Sequence, residues 1–216
     1  MTLPFPLAEA PDPATGEAGR RLFAGGAAFL KGVVAMDGLP PSDRVEVCFA
    51  GRSNVGKSSL INALTGTRGL ARASNTPGRT QEINYFTLGA SHYLVDLPGY
   101  GFARAPKPVV ARWQRLMTAY LAGRPSLRRA FLLIDARHGI KPVDGEIMAL
   151  LDRAAVPFQT VLTKADKVKA AERAAVLDQV RAALQPHPAA FPELVRTSAE
   201  TGDGIATLRA IIATLD

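Results

Sequence analysis

Apolar and polar residues alternate in blocks along most of the chain, and the blocks have the lengths of buried strands and amphipathic helices. Short apolar runs predict six strands, at 45–50, 83–88, 91–96, 130–135, 157–162 and 192–197. Longer stretches with helical periodicity predict helices at 57–65, 108–122, 143–154, 168–184 and 204–215. This alternation predicts an α/β fold with a mostly parallel six-stranded sheet and helices on both faces.

Two regions depart from the simple alternation. Gly89 and Ala90 join the runs 83–88 and 91–96, which predicts a hairpin and one antiparallel edge strand. Residues 1–19 are rich in Pro, Ala and acidic residues, so we expect a flexible tail there, followed by a short helix at 20–29. Residues 20–216 are expected to form a single domain.

The composition fits one domain that does not cross a membrane. The 216 residues are 47% hydrophobic, which is enough for one core. No apolar stretch reaches the ~20 residues that a membrane span needs, and no basic segment followed by an apolar one indicates a secretory signal. The single cysteine, Cys48, lies in the first predicted strand and cannot form an intramolecular disulfide. We therefore expect a soluble, monomeric, cytoplasmic protein.

The net charge of +7 is concentrated in the segment 104–141, which we call the basic segment. It contains nine basic residues and one acidic residue, Asp135, so it carries +8. A localised basic surface suits a polyanion such as RNA, whereas the alternative is an ordinary solvated helix face, and charge alone leaves both open. The nine basic residues are Arg104, Lys107, Arg112, Arg115, Arg124, Arg128, Arg129, Arg137 and Lys141.

Residues 51–58 (GRSNVGKS) match every fixed position of the phosphate-binding P-loop. They connect a predicted strand to a predicted helix, the arrangement in which backbone N–H groups and the helix N-terminus surround a phosphate. Lys57 is predicted to reach the β- and γ-phosphates, and the Ser58 hydroxyl to bind Mg²⁺. The alternative, an ordinary Gly-rich turn, is disfavoured by this context.

Later motifs favour a guanine nucleotide over an adenine nucleotide. Asp96, in the DLPG motif at 96–99, could bind Mg²⁺ through water, and the Gly99 N–H could contact a γ-phosphate. Asp166, in the TKAD motif at 163–166, could accept hydrogen bonds from the ring N–H and the exocyclic amine of guanine, a donor pair that adenine lacks. The stem of Lys164 would pack along the base, and the backbone of residues 197–199 would face the guanine O6.

The loop at 66–82 between the P-loop and Asp96 predicts a nucleotide-dependent switch. It is rich in Gly, Thr, Ser and Arg, and we assign a Mg²⁺-binding hydroxyl to Thr80 rather than Thr76. Such a hydroxyl binds the metal only when a γ-phosphate is present, so the loop would be ordered by GTP and released after hydrolysis. The alternative is a surface loop that does not sense the nucleotide.

Together these motifs resemble the EngB family, within the TrmE–Era–EngA–EngB–Septin-like group of bacterial GTPases. The resemblance implies a three-layer P-loop NTPase fold of the Ras-like G-domain type. It also implies a small GTPase that helps to assemble the large ribosomal subunit and is linked to normal cell division and septation, with ribosomal RNA as the partner of the basic segment. The matching residues are 51–59 (GRSNVGKSS), 76–81 (TPGRTQ), 96–101 (DLPGYG) and 163–166 (TKAD), within a match that spans 22–216.

The predicted site residues fall into three overlapping sets. Those with catalytic roles are Lys57, Thr80, Gly99 and Asn54, and those that bind Mg²⁺ are Ser58, Thr80 and Asp96. The residues predicted to bind GTP or GDP are Gly51, Arg52, Ser53, Asn54, Val55, Gly56, Lys57, Ser58, Ser59, Gly78, Arg79, Thr80, Gln81, Glu82, Asp96, Leu97, Pro98, Gly99, Thr163, Lys164, Ala165, Asp166, Thr197, Ser198 and Ala199.

Two positions, Tyr100 and Thr163, depart from the more common GTPase pattern. Ras-like GTPases have a water-orienting glutamine after DxxG, where this chain has Tyr100, so slow intrinsic hydrolysis is expected. In related GTPases an asparagine at the position of Asn54 helps to hold K⁺, which could stabilise the developing charge, although a turn-stabilising role is the alternative. Thr163 replaces the common asparagine of this motif, and weaker support of the P-loop is expected there.

Two other functions stay open at this point. One is a P-loop kinase acting on a small substrate, which the TKAD motif opposes. The other is a non-catalytic cell-division scaffold that uses GTP only for stability.

Overall fold

A computed structural model of the chain describes residues 5–71, 82–101 and 107–216, with only the backbone described at 107–110 and Trp113. The strands are β1 (Ala27–Val33), β2 (Val45–Gly51), β3 (Ile83–Leu88), β4 (His92–Asp96), β5 (Leu127–Asp135), β6 (Phe158–Thr163) and β7 (Val195–Arg196). The helices are α1 (Pro13–Ala24), α2 (Lys57–Thr65), α3 (Lys107–Gly123), α4 (Pro142–Arg153), α5 (Ala170–Leu184) and α6 (Ile205–Ala213).

The strands form one sheet in the order β1-β3-β4-β2-β5-β6-β7. Strands β4, β2, β5, β6 and β7 pair in parallel, whereas β3 pairs antiparallel with both β4 and β1. One core cluster contains side chains of α3, α4 and α5, and the other contains side chains of α1, α2 and α6. The predicted three-layer fold, with a mostly parallel sheet and one antiparallel strand, is confirmed.

The sheet has seven strands rather than the predicted six, because the helix predicted at 20–29 ends at Ala24. Gly25 caps it and Gly26 has φ 78°, a conformation that breaks the helix at little cost for glycine. Residues Ala27–Val33 then pair with β3, so β1 rather than β3 is the edge strand. Strand β1 is mostly exposed and does not alternate apolar with polar residues, so its sequence lacked the usual strand signal.

The tail predicted at 1–19 is also corrected over the part that the structure describes. Helix α1 begins at Pro13, and the Asp12 carboxylate accepts hydrogen bonds from the N–H groups of Ala14 and Thr15 at 2.9 and 3.1 Å. Farther back, Phe5 is buried, and the backbone of residues 6–8 pairs with Leu194, the residue just before β7. An Asp cap followed by Pro at the first helical position was a signal that composition alone obscured.

The basic segment does not form one exposed surface. Arg124 is almost fully buried and pairs with the buried Glu46, whose carboxylate also accepts hydrogen bonds from Tyr85 and Tyr120 at 3.1 Å. Arg129 stacks over the Phe191 ring at 3.9 Å and is half-buried. Among the described side chains, those that stay exposed and lie outside the core are Arg112, Arg115, Arg128, Arg137 and Lys141.

Candidate functional site

The P-loop turns from the end of β2 into the first turn of α2, where Ser58 and Ser59 lie. Gly56 has φ 106°, and a Cβ there would lie 3.5 Å from Lys164 Cε. A Cβ at Gly51 would lie 2.8 Å from Val55 Cγ1 and 3.1 Å from Leu133 Cβ. Both glycines of the motif are therefore required by the fold, since one needs a left-handed backbone and the other has no room for a side chain.

Lys57 and Asp96 form an ion pair at the start of α2, and both side chains are mostly buried. These are the residues predicted for phosphate and for Mg²⁺, so the structure brings the two predicted roles together. A hydroxyl at Ser58 and a carboxylate at Asp96 are hard oxygen donors of the kind that Mg²⁺ prefers. Within the described residues no group of three or more His, Cys, Asp or Glu could hold a metal ion.

Residues 97–100 run beside the P-loop as a continuation of β4. The Leu97 N–H donates to Phe49 O at 3.1 Å, the Tyr100 N–H to Gly51 O at 3.3 Å, and the Ser53 N–H to Tyr100 O at 3.0 Å. A Cβ at Gly99 would lie 3.2 Å from Ser53 Oγ. The DLPG motif is therefore held against the P-loop by backbone contacts, with Gly99 at the closest approach.

The Tyr100 side chain points into the protein. It is 2% exposed, and its hydroxyl donates to Asp144 Oδ1 at 2.8 Å. Burial and the neighbouring Asp144 charge raise the pKa of Tyr100 well above its usual range, so the hydroxyl stays neutral. A side chain held in this way does not occupy the place of a water-orienting glutamine.

Arg52 was predicted to bind nucleotide, but its side chain is directed to α4 and the loop before it. Its Nε lies 3.2 Å from Asp144 Oδ2, an ion-pair contact, and its terminal nitrogen donates to Gly139 O at 3.1 Å. Any contact of Arg52 with a nucleotide would therefore come from its backbone.

Thr163 supports the P-loop directly, and the expectation that this support is weaker than that from an asparagine stays a prediction. The buried Thr163 hydroxyl donates to Val55 O at 2.6 Å. Lys164 has φ 56° and donates from Nζ to Asn54 O at 2.6 Å. A hydroxyl and an ammonium together hold two consecutive P-loop carbonyls.

Asp166 is oriented by the neighbouring loop after β7. Ser198 Oγ donates to Asp166 Oδ1 at 2.7 Å, and the Ala165 N–H donates to Thr197 O at 3.1 Å. Thr197 and Ser198 are buried, whereas Asp166 is exposed. The two predicted base-binding motifs are therefore adjacent, and the carboxylate that would select the base is held in one orientation.

Sequence reasoning missed Asp135 and Asp144 as parts of this site. Asp135 ends β5, lies 3.0 Å from Lys164 Nζ, and accepts two hydrogen bonds from the Arg137 side chain at 2.9 and 2.7 Å. Burial alone would raise the pKa of Asp135, but the hydrogen bonds from Arg137 and Lys164 outweigh it and hold that pKa well below its usual range. Asp135 could have been found from the sequence, because it ends a run of apolar residues as Asp96 does. No sequence pattern marked Asp144.

Four predicted residues of the switch loop, Gly78, Arg79, Thr80 and Gln81, lie outside the described residues, so their roles stay predictions. Glu82 is described and exposed, and a Cβ at Gly32 of β1 would clash with its carboxylate. The described helices include none that is both long and apolar enough to cross a membrane.

Comparison with known proteins agrees with this geometry. Residues 46–164 match the family described as 50S ribosome-binding GTPase, and residues 121–215 match the elongation factor Tu GTP-binding domain. The probable GTP-binding protein EngB of Ruegeria sp. (strain TM1040) is 74% identical over 216 residues, covering both chains completely. The protein of the same name from Rhodospirillum rubrum is 59% identical and covers 92% of this chain and 88% of its own. A crystal structure of a probable GTP-binding protein EngB is similar at a TM-score of 0.62 and 28% identity, over 78% of this chain and 98% of the other.

Replacing Thr163 by Val should destabilise the P-loop, because the change removes the hydroxyl that binds Val55 O and preserves the shape of the side chain. We expect a loss of ~1–2 kcal/mol in the free energy of unfolding, measured by urea denaturation, and weaker binding of guanine nucleotide. Thr160→Val is the matched control, since Thr160 lies on the same strand and its buried hydroxyl has no partner among the described residues. Equal effects of the two substitutions would contradict this role of Thr163.

Proposed function

The chain belongs to the EngB family of GTP-binding proteins, and we propose that it hydrolyses GTP slowly as a switch in assembly of the large ribosomal subunit in the cytoplasm. Normal cell division and septation would depend on that assembly step. The observation that carries the proposal is the meeting of the P-loop, Asp96 and Asp166 at one edge of the sheet. Phosphate, metal and base can be bound there by three separate motifs.

Guanine selection is assigned to Asp166, with Ser198 as the residue that orients it. The hydrogen bond of 2.7 Å from Ser198 fixes Oδ1 without neutralising the carboxylate. A site built to hydrogen-bond a donor pair rejects a base that lacks the pair, because the carboxylate would lose water on binding that base and gain no donor in return. ATP and GTP carry the same triphosphate, so the base alone would distinguish them at this site.

Mg²⁺ is assigned to Ser58 and Asp96, with Thr80 as the ligand that depends on the γ-phosphate. When bound, the ion would neutralise charge on the β- and γ-phosphates. When a nucleotide binds, Lys57 would leave its ion pair with Asp96 and contact the phosphates. The Asp96 carboxylate would then be able to bind the metal ion. Lys57 would thus bind the negative phosphates and Asp96 the positive metal ion.

Slow hydrolysis is proposed because Tyr100 is held by Asp144 and no described side chain takes the place of the water-orienting glutamine. We assign a compensating role to Asn54 as a K⁺ ligand near the β- and γ-phosphates. Asn54 has φ 61° and is exposed, while its carbonyl is held by Lys164. The side chain is therefore available on a backbone that is fixed.

GTP hydrolysis should be about tenfold faster in K⁺ than in Na⁺ at equal ionic strength, because K⁺ would stabilise charge that develops between the phosphates. Asn54→Gly removes the side chain and keeps the left-handed backbone, so it should abolish the difference between the two salts. Steady-state phosphate release measures both rates. Equal rates in K⁺ and Na⁺ for the unaltered protein would count against Asn54 as a K⁺ ligand.

The proposed ribosomal RNA surface is smaller than the basic segment. Arg124 and Arg129 are used within the fold, so the surface is assigned to Arg112 and Arg115 of α3 and to Arg128 of β5, all exposed. Helix α3 starts a few residues after the DLPG motif. GTP binding at Gly99 could therefore align α3, and with it two of the three arginines, for the phosphates of RNA.

Reversing the charges of Arg112, Arg115 and Arg128 to Glu should weaken binding to large ribosomal subunits by about tenfold or more, since phosphate contacts supply much of the affinity. Co-sedimentation with a non-hydrolysable GTP analogue measures this, and the salt dependence of binding should become shallower. The control is the reversal of Arg20, Arg21 and Arg153, which are also exposed and lie elsewhere. Unchanged affinity, or equal binding with GDP and with the analogue, would rule out this surface as a nucleotide-dependent one.

A further inference from the structure

Tyr100, Asp144 and Arg52 form a buried polar network beside the P-loop, which we call the Tyr100 network. Asp144 is 0% exposed. Its Oδ1 accepts the Tyr100 hydroxyl at 2.8 Å, and its Oδ2 accepts the Lys141 N–H at 2.8 Å and lies 3.2 Å from Arg52 Nε. The network thus joins the residue after DLPG, the second residue of the P-loop and the start of α4.

The α4 end of this network is held firmly. Gln179 of α5 accepts from the Ile140 N–H at 3.0 Å and donates to the Ile140 carbonyl at 2.9 Å. Arg52 donates to the neighbouring Gly139 carbonyl at 3.1 Å. Asp144 therefore projects from a loop and helix terminus that are held in place. Its hydrogen bond can then determine the position of Tyr100.

A carboxylate with no exposure needs its hydrogen-bond donors, because an unpaired buried charge is strongly unfavourable. Tyr100 supplies one of the two hydrogen bonds that Asp144 accepts within the described residues. Moving the Tyr100 ring out of the protein would remove that bond and expose an otherwise buried aromatic side chain. Both effects favour the position that Tyr100 occupies.

The position of Tyr100 determines that of Gly99. The Tyr100 backbone exchanges hydrogen bonds with Gly51 and Ser53 at 3.3 and 3.0 Å, and Gly99 precedes it directly against Ser53. Gly99 carries the N–H assigned to the γ-phosphate. A side chain on the far side of the P-loop can therefore fix a backbone donor on the phosphate side.

We propose that Tyr100 and Asp144 are positioning residues that hold the Gly99 N–H in place for the γ-phosphate and so favour GTP over GDP. This inference rests on the proposed function, since it needs a site that binds both nucleotides. Tyr100 follows DLPG in the chain, where Ras-like GTPases have the glutamine, but its side chain acts through the backbone and not on water. GDP has no γ-phosphate, so its affinity should be insensitive to the network.

The test is to measure the dissociation constants of the full chain for GDP and for a non-hydrolysable GTP analogue, with Mg²⁺ present. Tyr100→Phe removes one hydroxyl and should weaken the analogue about tenfold while GDP changes less than about twofold. Arg52→Met, a second variant with a partly exposed side chain, should shift the same ratio in the same direction by a smaller factor. Melting curves of each variant establish that it is folded.

Tyr85→Phe is the matched control, because Tyr85 is equally buried and its hydroxyl donates to another buried carboxylate, Glu46, at 3.1 Å. It should lower the melting temperature without changing the ratio of the two dissociation constants. If Tyr100→Phe weakens GDP and the analogue equally, or changes neither, the positioning role is wrong and Tyr100 is only structural. If the unaltered chain binds neither guanine nucleotide, the proposed function fails and the inference fails with it.

Discussion

Strand β2 is buried from Glu46 to Gly51, and every motif of the site is placed relative to its carboxyl end. It pairs in parallel with β4 on one side and β5 on the other, and β5 pairs in parallel with β6. The carboxyl ends of these strands therefore meet at one edge of the sheet, which is where ligands bind in folds of this type. Residues 51–58, 96–99 and 163–166 are far apart in the chain, and this pairing alone brings them together.

Polar side chains at this edge hold the loops in place before any ligand is considered. Thr163 and Lys164 bind consecutive carbonyls of the P-loop, and Asp135 in turn binds Lys164. Asp144 holds Tyr100 and Arg52 on the other side of the loop. The contacts of Thr163 and Lys164 fix the P-loop and so reduce the ordering that binding would otherwise require, which favours affinity for a phosphate ligand.

The phosphate and base motifs could be predicted from the sequence because their chemistry depends on residue types at fixed spacing. All six predicted strands and all the helices of the central alternation match observed elements within three residues at each end, because the alternation of apolar runs and helical periods is regular there. Strand β1 was missed because an exposed edge strand has no apolar pattern, and its stability comes from pairing with β3. The first turns of α1, residues 13–19, were missed because their composition is typical of disorder, whereas their position depends on a distant contact, the close packing of Gly19 against Ala210 of α6.

Contacts between side chains that are distant in the chain could not be predicted from the sequence. The basic segment was treated as one surface, yet Arg124 pairs with Glu46 and Arg129 stacks on Phe191, and neither partner is near in the chain. The positions of Asp135 and Asp144 relative to the P-loop likewise depend on strand order and helix packing. A motif defines what a residue can do, whereas burial and partners decide whether the residue is available to do it.

Binding of a guanine nucleotide through Asp166 at this edge of the sheet can be measured by titration calorimetry of the full chain with GDP, a GTP analogue and the matching adenine nucleotides. Both guanine nucleotides should bind, and the adenine nucleotides should bind at least ~100-fold more weakly, because adenine offers Asp166 no matching donor pair. Comparable affinity for ATP and GTP analogues would show that Asp166 does not select the base.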